Sequence, residues 1–178
     1  TRVPHLLVTL APEAAAPESI SALVEAGVIV SLGHSAAQFS EAQAAFEAGA
    51  TMATHLFNAM GPLHHREPGL AGAALSNGSV SASLIADGLH VHPALIASAV
   101  RGKTPPGEVF LVSDAMAPFG TSMTRFQLGD REVTREGNCL SLSDGTLAGA
   151  NTDLLRAVRL LVTEADVPLA TALRMATG

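Results

Sequence analysis

The sequence predicts an α/β protein built from repeated parallel β-α units. Short apolar, β-branched runs alternate with longer Ala-rich stretches of helical spacing, and there are five such runs in succession. Four of them in succession end in a titratable residue, His34, His55, His90 and Asp114, and the four are expected to stand in register.

The first run, Leu6 to Leu10, stops at Ala11-Pro12-Glu13. Pro17 to Ala26 then places Ile20, Leu23 and Val24 at helical spacing and ends before Gly27, a residue suited to a helix C′ position. Val28 to Leu32 meets Gly33-His34-Ser35, where Ser35 is expected to cap a helix ending at Gly49. Thr51 to Thr54 leads into His55 to Met60 and a loop rich in Gly, Pro and His. Val80 to Ala86 leads into Asp87-Gly88-Leu89-His90, then a helix from about Pro93 to Arg101. Val109 to Val112 meets Ser113-Asp114.

Beyond Asp114 the period changes to two. Alternation in Phe126 to Val133 and Cys139 to Leu142, broken by Gly and Asn, predicts a β-hairpin inserted at about 124–147 as a lid or flap. Asn151 or Thr152 is expected to cap a helix carrying Leu154, Leu155, Val158, Leu161 and Val162, and a last helix starts near Pro168 and runs to Gly178. With 178 residues and no linker-like composition, residues 1–178 read as one domain.

Composition narrows the function. Apolar residues make up 48% and charged residues 15%, which excludes extensive disorder. The net charge is −6, and Lys103 is the single lysine, so no basic stripe exists to hold nucleic acid. No apolar run reaches the ~18 residues of a membrane span, so no membrane partner is expected. A lone Cys139 cannot form an internal disulfide, which favours a reducing cytoplasm. The start at Thr1, without a charged leader or cleavage site, reads as cut rather than processed.

Residues that follow parallel barrel strands gather at the C-terminal face, where such folds place their chemistry. Neutral imidazoles from adjacent strands suit zinc or iron, and a later carboxylate can take a proton from a metal-bound water. Each residue also has an ordinary reading. A single histidine can be a satisfied core or surface group, Asn58 can close a local turn, and Asp114 either caps a helix or meets a charge. Arg66 can pair with Glu67 on the surface or bind a phosphate dianion. The glycines of Gly145-Thr146-Leu147-Ala148-Gly149 let backbone approach a ligand, or simply feed a turn. His5, His92 and Cys139 read as incidental.

Several stretches together resemble the N-acetylglucosamine-6-phosphate deacetylases of the amidohydrolase superfamily. They are Val8 to Glu13, Ser31 to Ser35, Thr54 to Met60, Arg66 to Gly72, Ala86 to Val91, Asp114-Ala115-Met116 and Gly145 to Gly149. The resemblance implies a partial (β/α)8 TIM-type barrel, with about five of its eight β-α units present. It also implies hydrolysis of the acetamide of a phosphorylated amino sugar, giving glucosamine 6-phosphate and acetate. By similarity, His34 and His55 are metal ligands and Asp114 is the base that activates water. Asn58 and Ala59 hold the substrate, Arg66 and His90 match its phosphate and sugar contacts, and Asp87 with Leu147, Ala148 and Gly149 matches further binding segments. Zinc is the first candidate, with iron or another divalent metal as alternatives, and a homodimer is implied in which Arg66 can serve the neighbouring subunit.

The resemblance also places a metal-completing glutamate on an earlier strand, upstream of the matched stretches. Unclosed sheet edges are expected to promote association. Two other readings stand beside the deacetylase. One is a catalytically inactive fragment that keeps the sugar-phosphate loops; the other is a cyclic-amide hydrolase such as a dihydroorotase, against which Arg66 and the Asn58-Ala59 pair count.

Overall fold

The computed structural model describes residues 3–177; Thr1, Arg2 and Gly178, on which the readings of the two ends rest, lie outside them. The five apolar runs become β1 (Leu7–Leu10), β2 (Ile29–Leu32), β3 (Met52–Ala53), β4 (Ser81–Leu84) and β5 (Val109–Leu111), adjacent in chain order in one five-stranded sheet. The first three ladders are parallel, with Leu10 opposite Leu32, Leu32 opposite Ala53 and Ala53 opposite Ala82. The protein is therefore mixed α/β, its strands joined by the crossovers that parallel pairing demands.

Contacts divide the chain into two units, residues 1–84 with 98–110, and residues 85–97 with 111–178. In the first unit, Val30, Leu32, Ala53, Leu56, Leu70, Val80 and Leu84 are buried. The hydroxyls that face this interior satisfy one another: Thr54 lies 2.9 Å from Thr9 and 2.6 Å from Ser31, oxygen to oxygen. Gly33 is needed beside them, since a Cβ there would lie 2.8 Å from Thr54 Cβ.

Helix α1 (Pro17–Glu25) starts on a proline, which needs no N–H partner there, buries Ile20, and gives way at Gly27 with φ +84°. Helix α2 (Phe39–Glu47) is entered at Gln38, whose amide donates to the Glu41 carboxylate at 2.8 Å. The expected cap, Ser35, lies further upstream and is engaged elsewhere. Helix α3 (Gly69–Ser76) falls in the stretch read as a loop; Leu70 to Ala74 are all buried, so the segment lacks the polar face that would mark it as a helix. Helix α4 (Pro93–Gly102) passes from the second unit into the first.

In the second unit the segment read as a hairpin holds three antiparallel strands, β6 (Arg125–Leu128), β7 (Arg131–Glu136) and β8 (Cys139–Leu142). Two glycine turns divide it instead of one, with positive φ at Gly129 and Gly137. Val133, Leu140 and Ala148 form its small core. Helix α5 (Leu154–Thr163) is capped by Asp153, whose carboxylate accepts from the Arg156 amide at 2.7 Å, rather than by Asn151 or Thr152. Helix α6 (Leu169–Thr177) follows. No helix of the described residues is long and apolar enough to cross a membrane.

Candidate active site

Register decides which of the expected residues meet. Leu32 and Ala53 are partners across β2 and β3, so His34 and His55 both lie two residues beyond a paired position. Their Nε2 atoms stand 2.8 Å apart and their rings meet edge to face, with centroids 4.6 Å apart. His55 is buried and His34 is exposed. The His55 amide donates to Ser83 Oγ at 2.7 Å and the Leu56 amide to the Ser83 carbonyl at 2.7 Å, which fastens this turn to β4.

The remaining strand-end residues have different offsets. His90 is six residues past the end of β4 and Asp114 is three past the end of β5, so the equal spacing seen for the histidine pair does not extend to all four.

Backbone conformation marks these turns as unusual. Among the described residues, six other than glycine have positive φ: His34, His55, Phe57, Ala59, Asp114 and Asp166. Five of these six lie at the candidate site residues or between them, and such costly conformations cluster at functional sites. Asn58 does close a local turn: its Nδ2 donates to the Leu56 carbonyl at 3.2 Å and its amide to the His55 carbonyl at 2.9 Å. The Ala59 carbonyl accepts from the Ser35 amide at 2.9 Å and so joins the two histidine-bearing loops.

His34, Ser35, Ala59 and Met60 line an open cavity of about 570 Å³ together with Glu13, to which the sequence alone assigns no role. Glu13 accepts from the Ser35 hydroxyl at 2.5 Å and from the Ala36 amide at 2.8 Å. Its partial burial raises its pKa, but the Ser35 hydroxyl and the Glu13 and Ala36 amides outweigh this and hold it below the usual carboxylate value. The available signal was position, because Glu13 leaves β1 just after Leu10, which pairs with Leu32 of β2.

Arg66 is exposed, and no Arg66–Glu67 ion pair occurs among the described residues. Glu67 instead accepts from the amides of Phe39 at 2.7 Å and Gly69 at 3.1 Å, fastening the Arg66 loop to the starts of α2 and α3.

In the second unit Asp87 and His90 form one assembly. The Asp87 carboxylate lies 2.7 Å from His90 Nδ1 and accepts from the Leu89 and His90 amides at 2.9 Å each. Burial raises the Asp87 pKa, but the His90 ring and these amides overcome that and hold it below the ordinary aspartate value. Asp87 also lines a cavity of about 340 Å³ with Asn138, Asn151, Arg156, Arg159 and Glu164, polar residues that the sequence reading did not single out as a group.

Asp114 is exposed, so water relieves the cost expected of an unpaired carboxylate. It neither caps a helix nor meets a charge among the described residues; its carbonyl accepts from the Ala150 amide at 2.8 Å. Gly149, at φ +70°, passes so close to Met116 that a Cβ would overlap that side chain. Leu147 is exposed and Ala148 is buried.

No family model matches the chain. The chain is 46% identical over 171 residues to an N-acetylgalactosamine-6-phosphate deacetylase of Shewanella sp. (strain ANA-3), covering 96% of this chain and 43% of that protein. It is 40% identical over 153 residues to an N-acetylglucosamine-6-phosphate deacetylase of Lysinibacillus sphaericus, covering 85% of this chain and 39% of that one. The crystal structure of the N-acetylglucosamine-6-phosphate deacetylase of Pasteurella multocida superposes with a TM-score of 0.90 at 37% identity, over 96% of this chain and 44% of that one. A Mycobacterium smegmatis mutant enzyme in complex with N-acetyl-D-glucosamine-6-phosphate superposes with a TM-score of 0.87 at 36% identity, over 95% and 45%.

In both sequence and fold the chain is similar to deacetylases of N-acetylated hexosamine 6-phosphates. Within that group, the chain is similar both to N-acetylglucosamine-6-phosphate and to N-acetylgalactosamine-6-phosphate deacetylases. It spans about two fifths of the length of the curated relatives it matches.

Proposed function

We propose that this chain supplies substrate-handling and water-activating residues of a deacetylase that hydrolyses N-acetylglucosamine 6-phosphate to glucosamine 6-phosphate and acetate. The observation that carries the reading is the convergence of His34 and His55 at equal offsets from paired strand positions, with Nε2 atoms 2.8 Å apart, in a chain similar to such deacetylases. The five sheet strands are then consecutive strands of a (β/α)8 barrel, and residues 1–178 a part of that barrel domain carrying an inserted antiparallel element at about 124–147.

The donor set suits a divalent cation. Two imidazole nitrogens 2.8 Å apart are ligands for zinc first, and for iron or another divalent metal as alternatives. Among the described residues no group of three or more His, Cys, Asp or Glu gathers to hold a metal, so His34 and His55 would furnish two ligands and the upstream glutamate of the resemblance a further one. A bound divalent ion would polarise the acetamide carbonyl and acidify a water.

The chain's own residues do the rest. The exposed Asp114 carboxylate takes a proton from the attacking water as its oxygen bonds to the acetyl carbon. As the C–N bond breaks, Asp114 returns the proton to the leaving amine, so atoms and charge balance. Asp87 accepts from His90 Nδ1–H and fixes the tautomer, which leaves His90 Nε2 to accept from a sugar hydroxyl. Arg66 presents a planar guanidinium to the phosphate, in its own subunit or across a homodimer interface. The resemblance assigns substrate contacts to Asn58 and Ala59 and, separately, to Leu147, Ala148 and Gly149. Cytoplasmic work fits the lone thiol of Cys139.

The 46% identity to a galactosamine enzyme favours a second reading on the epimeric substrate. Acetate release from both N-acetylhexosamine 6-phosphates, with zinc supplied and Asp114→Asn and His34→Ala beside the parent chain, tests both readings. Release lost in both variants supports the proposal, and the preferred epimer chooses between substrates. Release that survives Asp114→Asn removes the base from the scheme, and no release from the parent chain leaves the inactive alternative.

A further inference from the structure

We infer that Glu13 is a positioning residue that holds the His34 turn in register with His55. This rests on the reading of His34 and His55 as metal ligands. His34 is exposed and sits at φ +50°, its ring meeting His55 edge to face, and a non-glycine residue at that φ tends to relax toward ordinary backbone angles. What holds the turn is the chain that follows. Ser35 donates its hydroxyl to one Glu13 oxygen at 2.5 Å, and the Ala36 amide donates to the other at 2.8 Å. The same Ser35 oxygen accepts from the Ala37 amide at 3.0 Å, and the Ser35 amide donates to the Ala59 carbonyl at 2.9 Å.

A single carboxylate thus clamps both residues after His34 with charge-assisted bonds, and Ala59 ties the clamp to the loop that carries His55. Glu13 itself sits in a 3-10 turn, Pro12–Ala14, just beyond β1, and shares the cavity that His34 lines. Its reach from β1 to the β2 loop passes the sheet's register on to the imidazole. Without it, the turn is free to swing His34 Nε2 away from His55 Nε2, and the two nitrogens no longer stand 2.8 Å apart.

The test is binding of Co²⁺ alone to the full chain, followed by its visible ligand-field absorption, with Zn²⁺ competition for affinity. Glu13→Ala and Ser35→Ala are each expected to weaken binding roughly 10–100-fold, as loss of outer partners of metal ligands does, and to change the band shape. Glu13→Ala/Ser35→Ala is expected to be no weaker than the worse single variant, because both remove one clamp, and Ser35→Thr, which keeps the hydroxyl, is expected to restore binding. If Glu13→Ala fails to fold, Ser35→Ala reads the same clamp. A Glu13→Ala or Ser35→Ala chain that loses thermal stability but titrates with parental affinity and band shape overturns the positioning role. Separately, a parent chain that binds no Co²⁺, or binds it equally after His34→Ala, overturns the metal-ligand reading and this inference with it.

Discussion

The Asp87 carboxylate lies 2.7 Å from His90 Nδ1, and the two side chains are only 6% and 7% exposed. Three donors converge on this one acidic group, two backbone amides and a ring nitrogen, while burial opposes its charge. The donors win, which makes Asp87 a sensor of acid. A carboxylate whose pKa is depressed in the folded state stabilises the protein above its unfolded value, about 3.9 for Asp, and that stability is lost as pH falls through the folded value. Urea unfolding from pH 7 down to pH 3 is therefore expected to show a fall in stability beginning near pH 4 to which Asp87 contributes. Asp87→Asn is expected to flatten that part of the fall and to cost about 1–2 kcal/mol at neutral pH. A variant whose stability tracks the parent at every pH would show that the donors do not favour the charged form.

Glu67 offers a second test, because one carboxylate oxygen serves the first amides of two helices. Helix starts hold unsatisfied N–H groups, and an acceptor placed there stabilises typically by about 1 kcal/mol. Glu67→Ala is expected to lose about that much in thermal unfolding, and Glu67→Gln less, since it keeps a carbonyl oxygen. Equal losses would indicate that charge, rather than hydrogen bonding, supplies the effect.

The parallel sheet was legible because each of its five strands falls within a short, largely apolar run that holds β-branched residues and is bounded by a turn, and register then places His34 beside His55. Three features were not legible, each for a physical reason. Helix α3 is buried from Gly69 to Ala74 and so has no periodic polar face. Ser35 looks like a cap by composition, but α2 starts only at Phe39, and the Ser35 oxygen accepts instead from the Ala37 amide. Capping of α5 passes to Asp153 because a carboxylate at that position reaches the Arg156 amide, while Asn151 turns its Nδ2 to the Gly137 carbonyl at 3.3 Å. Within the site, the histidine pair could be read from spacing, whereas the roles of Glu13 and Glu67 depend on partners 22 to 28 residues away in sequence.

Gly149 tests whether the turn before α5 tolerates a side chain. Its φ of +70° disfavours any L-residue, and a Cβ would overlap Met116 and lie 3.3 Å from the Asp114 carbonyl oxygen. Gly149→Ala is expected to destabilise by about 1–3 kcal/mol in chemical denaturation, from backbone strain and overpacking together. Adding Met116→Ala removes the overlap but not the φ cost, so partial recovery is expected relative to Met116→Ala alone. Full additivity of the two changes would mean that Met116 is not the obstacle.

Arg66 separates anchoring from chemistry. The guanidinium is exposed on a loop that Glu67 fastens, so its loss should leave the fold intact, with stability changed by no more than about 0.5 kcal/mol. If Arg66 grips the phosphate remote from the scissile bond, the binding energy it supplies also orients the acetamide, and kcat falls along with affinity. Arg66→Ala is then expected to lower kcat/KM for the phosphorylated sugar by about 100-fold, corresponding to roughly 2.7 kcal/mol, while barely changing the rate on unphosphorylated N-acetylglucosamine. Arg66→Lys should recover only part of the loss, since an ammonium keeps the charge but not the two-pronged geometry. Equal losses on both sugars would move Arg66 out of the phosphate site. If Arg66 works across a dimer, mixing Arg66→Ala with Asp114→Asn chains should restore activity through hybrid dimers, in which one site draws both intact residues from opposite subunits. Absence of that complementation, in mixtures shown to exchange subunits, would place Arg66 beside the substrate of its own chain.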